Sequence, residues 1–415
     1  MTRNAYKLII FGFISTIGSS VFSFACAFYI LKNTENSYLY SIYLTLIVIT
    51  TILSTPISGV FIDSVNNKRL ILYSQLSSVA ALIIFSLLYD DNVYMIICLG
   101  LLLTVPDGIN SVIIQKNLQR IVTDNLERVI SIRQTVSTLT SFVSPIIGGI
   151  VIAFIPLQVI GMMNMLTEAI SIILIQSLPI INHQQMKSQF VHSFKEGVQY
   201  LVKKKEIMTF LVCAMLNNFL INVIVVGVPI IAIQQLHLKS TQFGMIESGY
   251  TIALFLVSFV MSIYPVKRGV TLFYKIGILI EIVTLFSLGV FLLYPHQNLT
   301  SFIFLIATYM LIGVSLPIIN TPYGVYLQKA VEDEYKGRVF SLNSSIAQAI
   351  IPVSLSFFGF ILNDNAAQVF MIDAILMLVV LTGFSIAMRK YQFDKYLKIL
   401  KRSKCERWFS QVCSF

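Results

Sequence analysis

Thr104, Asp107, Ser111 and Gln115 recur at spacings of three and four in an otherwise apolar stretch, so on a helix they share one face, with Asn110 beside them. Asp107 is the acid of that stripe. An ionised carboxylate in hydrocarbon costs several kcal/mol unless it is hydrated or paired. A lone acid on a polar stripe therefore suits taking up a proton, or a cationic group, from one side and releasing it after a change of state. The competing reading is a protonated Asp held by a local hydrogen bond. Amides group in the same way: Asn217, Asn218 and Asn222 lie together, the last two one turn apart, and Asn320, Tyr323 and Gln328 form a second set. Such groups can bond a ligand or join neighbouring helices. Ser15, Ser19 and Ser23 repeat every four residues, a spacing of small residues that favours close helix approach over binding. Bond-making chemistry has no counterpart here. There is no Gly-x-x-x-x-Gly-Lys-Ser/Thr segment for ATP, and His183, His192, His237 and His296 fall in loops or near helix ends. The reading is a protein that is not an enzyme, with no cofactor and no metal.

What must position these residues follows from composition. Of 415 residues 56% are hydrophobic and 12% charged, with mean hydropathy +0.83. A soluble domain carries about 25% charged residues, so a water-soluble enzyme of this size is excluded and the surface must face lipid. The 30 Phe, 19 Tyr and 20 Gly exclude disorder, collagen and a disulfide scaffold. About 20 apolar residues span the hydrocarbon core, and twelve such segments are expected: 8–31, 38–62, 70–89, 94–115, 134–156 and 158–181, then 207–231, 242–264, 270–293, 300–327, 342–362 and 366–388. The first is too long for a secretory leader and is read as a retained helix. With the N-terminus inside, 26 of the 29 Lys and Arg fall in inside segments, and Lys32 and Lys239 fall outside. Both ends are thus placed in the cytoplasm. The net charge of +10 becomes a matter of membrane topology rather than nucleic-acid binding. Cys405 and Cys413 sit in the inside tail, where no disulfide is expected.

The polar stretch 182–206 divides the helices six and six: residues 1–181 and 207–388 form the expected bundles, and 389–415 a basic tail. That tail reads either as an amphipathic helix on the inner leaflet or as a solvated topology signal. Val122, Asp124, Arg128, Val129, Ser131 and Ile132 recur 209 to 210 residues later as Val331, Asp333, Arg338, Val339, Ser341 and Leu342, between the fourth and fifth helix of each half. Duplicated six-helix halves are one arrangement of transporters.

Three further motifs carry a resemblance. They are Gly59-Val-Phe-Ile-Asp63 followed by Lys68 and Arg69, Ser144-Pro145-Ile-Ile-Gly148-Gly149, and the pair Phe194-Lys-Glu-Gly197-Val-Gln-Tyr200 and Glu334-Tyr-Lys-Gly337-Arg338-Val-Phe-Ser341. Together they resemble the major facilitator superfamily across the whole chain, in the exporter branch holding macrolide efflux proteins and enterobactin-type catecholate-siderophore exporters. The chain departs from that pattern at Ser64, Asn66 and Ser144, and Ile97 stands where antiporters of the family carry Arg in the fourth helix.

The resemblance implies an all-α fold of twelve transmembrane helices in two six-helix bundles, with helices 1, 4, 7 and 10 lining a central cavity. It makes Asp107 the candidate for proton or substrate coupling, and Asn110, Ser111, Asn218, Asn222, Asn320 and Tyr323 candidates for substrate binding. Gly59, Asp63, Lys68, Arg69, Arg128 and Arg338 are candidates for the conformational switch. So are Pro145, Gly148 and Gly149, which would bend helix 5 and bring it close to the other bundle. Glu168, Glu281 and Asp373 fall on helices that the fold places at the periphery, where a structural role is expected. Glu281 and Asp373 are expected either as neighbours that share a proton or as acids that bond a Ser, Thr or Asn. The implied function is secondary active export of amphipathic, macrolide-like or multidrug compounds by proton antiport. The partners are a small-molecule substrate, protons and the lipid bilayer of a bacterial cytoplasmic membrane, and a monomer is expected. A dedicated siderophore or metabolite exporter is the rival, and it calls for basic groups in the cavity. A non-transporting membrane receptor stays open as well.

Overall fold

The computed structural model describes the chain apart from residues 1, 123–124, 181–197, 265–268, 296, 363–364 and 413–415. Of residues 55–57, 59–64, 333–334, 337, 341 and 391–412 it describes the backbone only. Twelve helices are long and apolar enough to cross a membrane, and there is no strand among the described residues. They are α1 (Arg3–Thr34), α2 (Ser37–Ser64), α3 (Asn67–Leu88), α4 (Val93–Ile121), α5 (Leu126–Phe154), α6 (Leu157–Gln176), α7 (Lys205–Ile230), α8 (Ser240–Ile263), α9 (Val270–Phe291), α10 (Asn298–Ala330), α11 (Asp333–Ala349 with Ile351–Ile361) and α12 (Ala366–Val412). All twelve expected spans are present.

Local chemistry sets the ends. Asn66 accepts from the amides of Lys68 and Arg69 to start α3, and Asn92 accepts from Tyr94 to start α4, which satisfies donors that have no partner in the first turn of a helix. Helix α11 comes in two pieces, Asp333–Ala349 and Ile351–Ile361, because Pro352 offers no amide donor. It begins nine residues before the apolar run that signalled it. Helix α5 likewise begins before the expected 134, which draws Arg133 out of the loop and into the helix. Helix α7 runs on into a π-helical turn, Ile231–Gln235.

Helices α1 to α6 pack among themselves, α1 against α5 and α6 and α3 against α4 and α6; in the second half α9 packs against α10 and α12. The halves meet along α5–α8 and α2–α11. The inter-bundle hydrogen bonds among the described residues lie in the part of the bundle that ends at the α1–α2 and α7–α8 links. Ser37 donates to Gln234 (2.8 Å), Ser240 to the Gly149 carbonyl (2.7 Å) and Ser248 to the Phe142 carbonyl (2.8 Å), and Thr45 meets Ser356 (3.0 Å). The apolar core has the same polarity. One cluster joins both halves at this end, whereas Leu8, Ile71, Ile113, Val129 and Ile175 form a separate cluster within the first half at the other. The two halves are therefore sealed at one end and parted at the other.

Glycine makes the seal. A Cβ on Gly149 would overlap the Ser240 carbonyl, one on Gly244 the Pro145 carbonyl, and one on Gly359 the Ser41 side chain. Gly149 and Gly359 are 210 residues apart, so the repeat seen in the sequence extends to both contact surfaces. Val129 and Val339, also 210 apart, are both 0% exposed.

Candidate functional site

Between the halves lies a cavity of about 1150 Å³, a little above the usual range for a small-molecule site. Helix α4 gives it Thr104, Asp107, Asn110 and Ser111; α1 gives Ser15, Ser19 and Ser23; α7 gives Asn218 and Asn222; α8 gives Glu247 and Tyr250. Tyr40 on α2, Arg133 on α5 and Tyr309 on α10 complete its charged groups and tyrosines. Pro106 sits inside α4, one residue before Asp107, so the helix lacks one backbone donor beside the carboxylate. The Asp107 side chain is exposed to this space and has no hydrogen-bond donor against it among the described residues. Asp107 is the fifteenth residue of α4, about 21 Å from the sealed-end start of that helix, so it stands midway.

The other predicted residues divide. Asn110 lines the cavity but also accepts from Ser74 (2.7 Å), and Asn218 lines it while donating to the Ala347 carbonyl (3.1 Å). Asn222 donates to the Asn218 carbonyl one turn back. Tyr323 requires a correction: it is buried, its hydroxyl donates to Asn343 Oδ1 (2.7 Å), and its ring packs on Phe210 at 5.2 Å. It is a core residue, because its helix face turns toward α7 and α9 rather than the cavity. Asn320 is exposed, one turn past the lining residue Leu316 toward the open end, and is not among the lining residues.

Two of the three peripheral acids, Glu168 and Glu281, are held by polar partners. Glu168 accepts from Ser15 (3.0 Å) and Ser19 (3.2 Å), so the serine row of α1 serves α6 as well as the cavity. Glu281 accepts from Asn217 (2.9 Å) and Ser315 (2.9 Å). These two, rather than Asp373, are its partners, since α7 and α10 supply donors to the face of α9 that carries it. Asn217 is thereby occupied with packing. We expect Asn217→Ala to destabilise the fold by about 1–3 kcal/mol, because a fully buried carboxyl loses one of two donors. An unchanged melting temperature of the purified variant would refute that account.

Residues 194–197 of the central-loop motif lie outside the described residues, and at the open end Tyr200 of that motif meets the motif that opens α11. Tyr200 stacks on Tyr335 (4.6 Å, 17°), Arg338 lies over the other ring (5.6 Å), and Lys204 bonds Glu332 (3.2 Å). The Glu332 carboxylate, with Tyr200 beside it, holds the Lys204 ammonium above its ordinary range. Lys68, Arg69 and Arg128 are exposed. The side chains at 59 and 63 lie outside the described residues, so Gly59 and Asp63 are placed only by the backbone of α2. Pro145, Gly148 and Gly149 form the α5 face toward α8 and α1: Gly149 and Pro145 meet α8, and a Cβ on Gly148 would press on Phe24.

Two site residues escaped the sequence reading. Glu247 falls inside the expected eighth span, and the rule that singled out Asp107, an acid within hydrocarbon, applies to it equally. Arg133 precedes the apolar run of α5 by one position, so hydropathy leaves it in the loop although it lies within the helix. It gives the cavity a basic group from α5, where α1, α4, α7 and α10 line it with none.

Residues 8–354, and again 210–395, match the family profile described as Major Facilitator Superfamily. Macrolide efflux protein A of Streptococcus pyogenes is 21% identical over 354 residues, covering 82% of this chain and 85% of that one. The protein of that name from Enterococcus faecalis is 21% identical over 312 residues, covering 72% and 94%. Among solved structures, a bacterial homologue of the iron transporter ferroportin in an inward-facing state superposes with TM-score 0.71 at 16% identity, covering 93% of this chain and 98% of that one. The nucleoside transporter NupG superposes with TM-score 0.74 at 12% identity, covering 93% and 99%. These likenesses concern the fold.

Proposed function

From the premise that this chain belongs to the Major Facilitator Superfamily, and is thus a multi-pass membrane transporter and not an enzyme, we propose that it exports amphipathic organic molecules. On this reading it sits in a bacterial cytoplasmic membrane with both termini inside, and exchanges its substrate for protons by alternating access. The observation that carries the reading is Asp107, a carboxylate at mid-depth that faces the cavity without a donor partner. Such a group takes a proton when the cavity opens to the acidic side and yields it on the other, which links proton flow to the exchange of states. The basic residues put the parted end in the cytoplasm, so the conformation described here receives substrate from inside. The relatives that are macrolide efflux proteins make a macrolide the first compound to try. The stack of Tyr200, Tyr335 and Arg338 ties the central loop to α11 and belongs to the switch that moves the second half.

Arg133 favours a second reading, in which the substrate is an anionic metabolite such as a siderophore. One assay separates the two. Inside-out vesicles carrying the protein, energised with a pH gradient, are expected to accumulate labelled macrolide and ethidium and to lose both on addition of a protonophore. Accumulation of an anionic catecholate alone would move the assignment to the second reading. If neither class accumulates, the export reading is lost.

A further inference from the structure

Two carboxylates and one guanidinium face the cavity, and they stand at different depths. Glu247 is the eighth residue of α8, about 10 Å from the sealed end, one turn from the crossing where Gly244 meets Pro145 and next to Ser248, which bonds α5. Asp107 lies about 10 Å deeper along the axis. Arg133, the eighth residue of α5, enters from the opposite, open end. Glu247 has no hydrogen-bond donor and no counter-ion among the described residues. Its neighbours are aromatic instead. Tyr40 and Tyr309 lie within electrostatic reach of it, Tyr309 meets Tyr250 edge to face (6.5 Å, 74°), and all three line the same cavity. Tyr40 comes from the first half and the other two from the second. A phenol ring presents a negative face to a cation, and a carboxylate without a partner in a low-dielectric wall favours positive charge. An anion would meet repulsion from both.

We propose that Glu247, with Tyr40, Tyr250 and Tyr309, is a subsite for the cationic group of the substrate at the sealed end of the cavity, and that the substrate class is lipophilic organic cations. The assignment rests on the export reading and adds to it a division of labour. Glu247 holds the cation, Asp107 exchanges the proton, and the aliphatic residues of the cavity, such as Leu44, Ile47 and Ile312, take up the apolar body. Because Tyr40 belongs to the other half, the bound cation bridges the two bundles.

The test uses two probes of one shape and opposite charge, tetraphenylphosphonium and tetraphenylborate, and equilibrium binding to the purified full chain. Wild-type protein is expected to bind the phosphonium and to prefer it to the borate. Glu247→Gln is expected to weaken phosphonium binding roughly tenfold or more, whereas Gly383→Val, at an unhindered position outside the cavity, leaves it within about threefold. Tyr250→Phe keeps the ring and is expected to keep affinity, and Tyr250→Ala to lower it. Matching elution profiles and melting temperatures separate loss of the subsite from loss of fold. Preference for the borate, or full phosphonium affinity in both Glu247→Gln and Tyr250→Ala, overturns the proposal. The two readings fail separately. Gradient-driven export of a neutral or anionic compound without phosphonium binding removes the cation subsite and leaves the exporter; phosphonium binding at Glu247 without gradient-driven movement keeps the subsite and removes the exporter.

Discussion

Asp107→Asn is expected to abolish export driven by a pH gradient, lowering the initial rate by roughly tenfold or more, in line with proton–ligand coupling factors of about 5–150. The amide matches the carboxyl in size and lines the same space, but it cannot bind and release a proton near neutral pH. Substrate exchange that moves no net proton should therefore persist. Counterflow in liposomes, with labelled substrate outside and unlabelled inside, is expected to stay within about threefold of wild type, because the affinity of the site for each conformation is not what the substitution removes. Together the two assays separate coupling from binding. Retained gradient-driven export in the Asn variant would show that the proton travels elsewhere. Loss of counterflow as well would make Asp107 a substrate ligand instead.

The second large effect is steric. Gly149 lies so close to the Ser240 carbonyl that a methyl group there overlaps backbone, which cannot rotate away as a side chain can. Gly149→Val should force α5 and α8 apart and cost about 1–3 kcal/mol as overpacking. Because the cost falls on the seam between the bundles rather than on either core, we expect both halves to stay folded and transport to fall by roughly tenfold or more. Gly383→Val is the control, since nothing lies within 4 Å of its added carbon, and it is expected to transport normally. Spin-label distances across the sealed end would show the separation directly. Wild-type transport and distances in Gly149→Val would remove close α5–α8 packing from the mechanism.

Much of this architecture was legible in the residues because lipid imposes simple rules. Apolar runs of fixed length gave the twelve spans, and the Pro145–Gly149 motif marked a surface of close approach that the structure finds against α8. Asp107 was visible for the same reason, as a charge where charge is costly. The misses also have physical causes. Hydropathy detects where a run becomes apolar, not where a helix begins, so Arg133 at the polar start of α5 looked like loop and the first piece of α11 was overlooked. Face assignment on a helix lined by Pro317 and Pro322 defeated a simple count, which is why Tyr323 was placed toward the cavity when it packs on Phe210. The pairing of Glu281 with Asn217 and Ser315 joins the consecutive helices α9 and α10 to α7, which lies 64 residues away in sequence, and no local pattern selects those two partners. The left-handed Asn125 just before α5 belongs to the same class of detail.

The two glycine contacts, Gly149 on Ser240 and Gly359 on Ser41, stand on opposite flanks of the sealed end and follow from one duplicated segment. A rigid body held at two points keeps a single degree of freedom, rotation about the line that joins them. While both contacts hold, as they do in the conformation described here, relative motion of the halves reduces to one angle that widens or narrows the parted end alone. Parting the sealed end then requires both glycine contacts to release together, so a label pair beside either contact reports the same event.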